Sequence, residues 1–147
     1  MGKIVAVCWS EKKGTTKEPI AEGLIKEDFG LADDAHADCT TIRQVSLMSI
    51  ESIKRMQSLG FPVVPGSFAE NLTTEGIDMV SLPVGTELCI GEDIVLKITQ
   101  IGKKCHTGCA IFQQVGQCIM PKEGVFTKVI RGGKVKSGDE IKVKKTG

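Results

Sequence analysis

The sequence predicts a mostly β fold of barrel or sandwich type. Short apolar segments alternate with polar residues at period two, glycines punctuate them (17 in 147 residues), and only one stretch repeats its apolar residues at helical spacing. A chain of this length reads as one domain, residues 1–147, large enough to bury a core.

The first segment, Lys3 to Trp9, sets Ile4, Ala6 and Cys8 against Val5, Val7 and Trp9. Both faces are apolar, which predicts a well-buried strand with Cys8 as core filler. Ser10 to Pro19 is polar and reads as an exposed loop. Its Gly14-Thr15-Thr16-Lys17 run lacks the rest of a phosphate-loop signature. Ile20 to Ile25 is strand-like. Next come Asp33, Asp34, His36 and Asp38, either a metal-binding cluster or a turn whose carboxylates bond nearby amides.

Thr40 to Leu47 is β-branched and predicts a strand with Arg43 in its middle, facing solvent or forking an anion. Ser46 or Ser49 then caps the one helix, with Ile50, Ile53, Met56 and Leu59 on its buried face and Gly60 as its stop. A turn-rich connector, Pro62 to Gly66, leads to Asn71, which either presents its amide to an anion or pins the turn to backbone. Two strand entries echo one another, Gly85 to Ile90 and Gly138 to Val143. Cys89 alternates with Leu88 and Ile90 and reads as core. Asp93 to Gln100 and Gly124 to Ile130 are further strands. Asp139 to Lys145 is the last, with a charged face suited to protecting a sheet edge.

The chemistry concentrates in residues 101–133. Three of the six cysteines lie there, Cys105, Cys109 and Cys118. A strand ends at Gly102 and delivers Cys105 among Lys103, Lys104 and His106. Positive neighbours favour the thiolate, which is the nucleophile and the metal ligand. Thr107 to Val115 reads as a short helix that sets Cys105 and Cys109 one turn apart.

Composition narrows the partners. A net charge of +1 makes no electrostatic case for nucleic acid, and 4% aromatic residues without tyrosine leave few stacking platforms. No apolar run reaches membrane-span length and the N-terminus reads as a strand, so the expectation is a cytoplasmic protein with reduced thiols.

Three blocks in order carry a resemblance to a family. They are Gly30 to Ala37; Gly66 to Ile77 with the Leu82-Pro83-Val84-Gly85 and Leu88-Cys89-Ile90-Gly91 stretches that follow; and the Cys105 segment. The Phe68-x-Glu70-Asn71-Leu72 run is the most specific. The chain resembles a stand-alone MOSC domain, named for the C-terminal domain of molybdenum cofactor sulfurases. The resemblance implies a closed or partly open β-barrel, mostly antiparallel and of pyruvate-kinase type, with a few short helices. It implies molybdenum cofactor (molybdopterin) as the ligand and Cys105 as the residue that coordinates molybdenum or carries sulfur. Longer members add an N-terminal barrel or a pyridoxal-phosphate domain, to which the family's pyridoxal phosphate binding belongs.

On this basis Asp34, His36, Arg43, Asn71, Lys103 and Lys104 are the expected cofactor-binding residues, with Asp34 and His36 at the mouth that holds Cys105. Cys109 and Cys118 are candidate resolving thiols. Implied partners are cofactor-biosynthesis or sulfur-donor proteins. A second reading is a molybdenum-dependent reductase of small N-hydroxylated substrates, served by a separate electron donor. A third is a zinc-stabilised binding module built on Cys105, His106, Cys109 and Cys118.

Overall fold

The computed structural model describes residues 2–10, 17–32, 34, 39–41, 43–68, 70–102 and 124–146. Its core is a barrel. Strand β1 (Gly2–Trp9) pairs antiparallel with β6 (Leu72–Glu75), and β6 lies parallel to β5 (Val45–Ser49). From β5 the sheet continues antiparallel through β9 (Val125–Arg131), β8 (Ile94–Ile101), β7 (Glu87–Ile90) and β11 (Glu140–Lys145). It closes where Gly2 pairs with Ile141 and Lys3 with Glu140. The result is a closed barrel of seven strands, with β2 (Glu18–Ile20) appended to β1.

A smaller sheet holds β10 (Gly133–Lys136), β3 (Glu22–Lys26) and β4 (Gly30–Leu31). Asp28, at φ 50, ties the β3–β4 turn to the barrel. Its amide donates to the Val129 carbonyl (3.0 Å) and its carboxylate accepts from Gln44 (3.0 Å) and Lys128 (3.3 Å).

Two apolar layers result. Ile4, Val7, Leu47, Leu72, Leu88, Leu96, Ile98 and Val125 fill the barrel. Outside the wall, Met48 and Phe126 meet Ile53, Met56, Val63 and Phe68 beneath α1 (Ile50–Ser58). The helix begins where Ser49 accepts from the Ser52 amide, and Glu51 complements the dipole of the first turn. It ends at Gly60, φ 96, with Gly60 N–H bonding the Gln57 carbonyl and Phe61 N–H that of Met56. That is the Schellman arrangement, which needs a left-handed residue there. Truncating Ile53, fully buried in this layer, costs about 2–5 kcal/mol.

Five sequence expectations change. The Ile20 to Ile25 segment is two strands in different sheets, broken by a bend at Ala21. The strand expected over Thr40 to Leu47 is Val45–Ser49, so Arg43 precedes it and is exposed. The last strand is no edge: β11 has a partner on each side, and its lysines face solvent from a closed wall. Leu59, expected on the buried face of the helix, is exposed, because it stands at the C-cap beyond the last helical residue. Cys89 lies half-buried on the outer face, because Leu88 and Ile90 take the inward positions. The short helix expected at Thr107 to Val115 falls outside the described residues.

Candidate functional site

Strand direction gives the barrel two unlike rims. By the pairings, β1, β7 and β9 run one way and β5, β6, β8 and β11 the other. The first rim therefore gathers the ends of β1 and β9 with the starts of β5, β6 and β8. The second rim gathers the start of β9 with the ends of β5, β6 and β8.

Among the described residues, the first rim buries four titratable groups, Cys8, Lys17, Asp34 and Glu70. Asp34 Oδ1 accepts from Lys17 Nζ at 2.7 Å, with both side chains fully buried. The same oxygen accepts from the Ser10 amide (3.0 Å), and Lys17 Nζ also donates to Ser10 Oγ (3.1 Å). Burial pushes the Lys17 ammonium below its ordinary range, against the pull of Asp34. Glu70 is fully buried; its Oε2 accepts from the Gly66 amide (3.0 Å) and Thr73 Oγ1 (2.9 Å). Its Oε1 meets no partner among the described residues. Burial raises the Glu70 carboxyl above the usual range, opposed by the Gly66 amide. Burial, then Glu70, pushes the Cys8 thiol up to about 12, and Lys17 opposes them. Cys8 keeps its proton at neutral pH, as core filler does.

Asn71 is pinned beside them. Its Oδ1 accepts from Ser46 N (3.0 Å) and Ser46 Oγ (3.2 Å), and its Nδ2 donates to the Cys8 carbonyl (3.3 Å). The turn-pinning alternative describes these bonds. Arg43 lays its guanidinium 5.9 Å from the centre of the Phe126 ring.

The second rim carries the ends of the cysteine segment. Gly102 follows β8 and Gly124 precedes β9, and the Gly102 amide donates to the Gly124 carbonyl at 2.7 Å. Between them, Lys103, Lys104, Cys105, His106, Cys109 and Cys118 lie outside the described residues, as does His36. Strand direction thus sets Asp34 and the two ends of this segment at opposite rims.

On the same rim, a cavity of about 500 Å³ opens between the start of α1 and the turn after β6. Ser49, Ser52 and Arg55 line one side, Gly76, Asp78 and Met79 the other. Glu51 Oε2 accepts from the Gly76 amide (3.1 Å) and joins the two sides. That volume lies within the usual range for small-ligand sites.

Among the described residues, no group of three or more His, Cys, Asp or Glu is placed to hold a metal ion. No described helix is long and apolar enough to cross a membrane. Sequence reasoning missed Lys17 and Glu70, treating the first as loop and the second as motif. The available signal was a Glu70-Asn71 pair set between apolar Phe68-Ala69 and Leu72 and followed by two threonines.

The MOSC domain model matches residues 34–142. The chain belongs to the MOSC domain family, which is related to the molybdenum cofactor. Among solved structures it is similar to the YuaD protein of Bacillus subtilis, at 20% identity and TM-score 0.79, covering 97% of this chain and 96% of that one. YiiM from Geobacillus stearothermophilus matches at 19% identity and TM-score 0.72, with 97% and 75% covered. YiiM from Escherichia coli matches at 21% and 0.68, with 97% and 69% covered. At these identities the likeness is one of fold. No curated protein matches the sequence.

Proposed function

We propose that this chain handles the molybdenum cofactor, binding its pterin, carrying sulfur on Cys105, or both. The observation that carries the reading is the family match, whose span of residues 34–142 contains Cys105. A cavity on the same rim as Gly102 and Gly124 supports it, because Cys105 follows Gly102 by three residues in the sequence.

The two rims differ in their fit to the group. At the first, the buried Cys8 thiol holds its proton and the Lys17 ammonium is bonded to Asp34. At the second, the cavity has ligand size, with hydroxyls at Ser49 and Ser52 and a guanidinium at Arg55. Glu51 and Asp78 line it too and repel a phosphate. The charge complement for the anionic end therefore falls to Lys103 and Lys104, which also favour the thiolate of Cys105. A soft thiolate suits a thiophilic metal, and the cofactor when bound supplies the redox or sulfur-accepting centre. The reading does not use Arg43, Asn71 or Asp34.

The test is to purify the protein from a host that makes the cofactor and measure molybdenum, pterin and labile sulfur together. The wild type is expected to retain pterin or labile sulfur, and Cys105→Ser to lose it at least ~10-fold with its circular dichroism unchanged, since serine is not ionised at neutral pH. Equal retention by the variant refutes the role of Cys105. Zinc near one per chain without pterin favours the zinc module.

A further inference from the structure

Where β1 ends, a cavity of about 790 Å³ opens beside Trp9, the last residue of that strand. Its volume lies within the usual range for small-ligand sites. Among the described residues, Trp9, Ile20, Leu24 and Ala32 give it apolar walls, and Glu22 and Lys26 give it charge. Trp9 is the chain's one tryptophan. Leu24 is 44% exposed, although it stands in the middle of β3 beside buried Ile25. Apolar surface held open to water in this way is stabilised when a ligand covers it.

The register of the small sheet sets the charge around these walls. Side chains along β3 alternate between faces, so Glu22, Leu24 and Lys26 share the outer one. Lys136 stands opposite Glu22 and Lys134 opposite Leu24 on that same face, while Val135 and Ile25 turn into the core. Three lysines thus stand around one carboxylate and one leucine. Glu22 has Lys136 as its cross-strand neighbour, which leaves Lys26 and Lys134 in excess beside Leu24. The described ion pairs, Lys17–Asp34, Lys128–Asp28 and Lys144–Glu87, take no lysine of this face. Lys26 holds its ammonium 6.0 Å from the centre of the Phe29 ring, a contact that keeps the positive charge.

We propose that this cavity binds a flat aromatic anion. The ring stacks on the Trp9 indole and covers Leu24, and the negative group lies towards Lys26 and Lys134. A rigid ring suits the site better than a flexible chain, because it gains stacking on the indole and loses little freedom on binding. The excess of lysine selects an anion over a cation of the same shape. The site stands where β1 ends, at the first rim, and neither the cavity at α1 nor Cys105 takes part in it.

The experiment is an NMR titration of the whole isotope-labelled chain with three probes that share one ring system: naphthalenesulfonate, the neutral naphthylmethanol and the cationic naphthylmethylammonium. The chain's single indole N–H signal belongs to Trp9 and reports on the site directly. That signal and the amides of Leu24 and Ala32 should shift together with the sulfonate, with a Kd of ~1 mM or tighter. The sulfonate should bind at least ~3-fold more tightly than the cation, and the gap should close as salt rises. Leu24→Glu, at an exposed position, should weaken the sulfonate at least ~10-fold. Lys26→Gln combined with Lys134→Gln should bring the sulfonate level with the neutral probe. Shifts confined to the cavity at α1, or to no residue at all, overturn the proposal. So does equal binding of sulfonate and cation, or a Leu24→Glu variant that binds as the wild type does. The wild-type titrations with the three probes decide the matter if a variant does not fold.

Discussion

Replacing Gly66 with alanine tests how tightly the first rim is packed. Gly66 has φ 93, a conformation that L side chains rarely adopt. A Cβ there would collide with the Lys17 carbonyl and come within 3.3 Å of Cys8 Sγ. Gly60 is the natural control, since its φ of 96 is nearly the same and nothing lies within 4 Å of its added Cβ. Gly60→Ala therefore reports the backbone term alone, about 1–2 kcal/mol. Gly66→Ala adds overpacking of about 1–3 kcal/mol against backbone that cannot swing aside. The difference between the two variants should be about 2 kcal/mol. At ~2–4 °C per kcal/mol for a chain of this size, that separates the melting points by roughly 4–8 °C. Denaturant unfolding should show the same gap as a shift in midpoint with an unchanged slope. If the two variants unfold together, the Lys17 carbonyl does not bear on Gly66 and the account of a tied rim fails.

Asn71→Ala removes the acceptor for Ser46 N and Oγ and the donor to the Cys8 carbonyl, all buried. It should destabilise by about 2–4 kcal/mol in denaturant unfolding, at ~1–3 kcal/mol for each buried group left unpaired. Under native conditions iodoacetamide should label exposed Cys39 fast, half-buried Cys89 more slowly and Cys8 least of all, as read by peptide mass spectrometry. The Cys8 thiol also gives stability a sign in alkali. Its folded value, about 12, lies above the ordinary thiol value of 9.0, so its contribution is complete below pH 9 and is lost as pH rises towards 12. Cys8→Ala should flatten that part of the stability profile.

The strongly alternating segments were legible in the sequence. Gly2–Trp9, Ile94–Ile101 and Val125–Arg131 stand within a residue or two of where the apolar pattern sets them. The helix, Ile50–Ser58, follows from its cap, from Ile50, Ile53 and Met56 of its stripe and from its glycine stop. What was not legible depends on closure. A strand with lysines along it, such as Glu140–Lys145, looks the same in sequence at an edge or in a closed wall, since only β1 and β7 supply its neighbours. The period that makes Leu88 and Ile90 core makes Cys89 outward, and its apolar flanks concealed this. Lys17 and Glu70 were missed because charge is the usual mark of solvent. Lys17 is held by a partner 17 residues away, Asp34, while Glu70 is held by near neighbours in the chain, Gly66 and Thr73.

The run that carries the family resemblance is committed to architecture. Phe68 fills the layer beneath the helix, and Leu72 fills the barrel. Between them, Glu70 holds the Gly66 turn to Thr73, and Asn71 holds β5 to β1. Four side chains thus join two apolar layers, a turn and three strands. A sequence that matches this run is selected for that joint and so for the fold, whatever the barrel goes on to bind. The cysteine segment leaves from the other rim, through a neck of two glycines bonded at 2.7 Å. Nothing in the Phe68–Leu72 joint requires a particular length or cysteine count there. Differences in chemistry among barrels of this kind are therefore to be sought between Gly102 and Gly124 and along the cavity on the same rim.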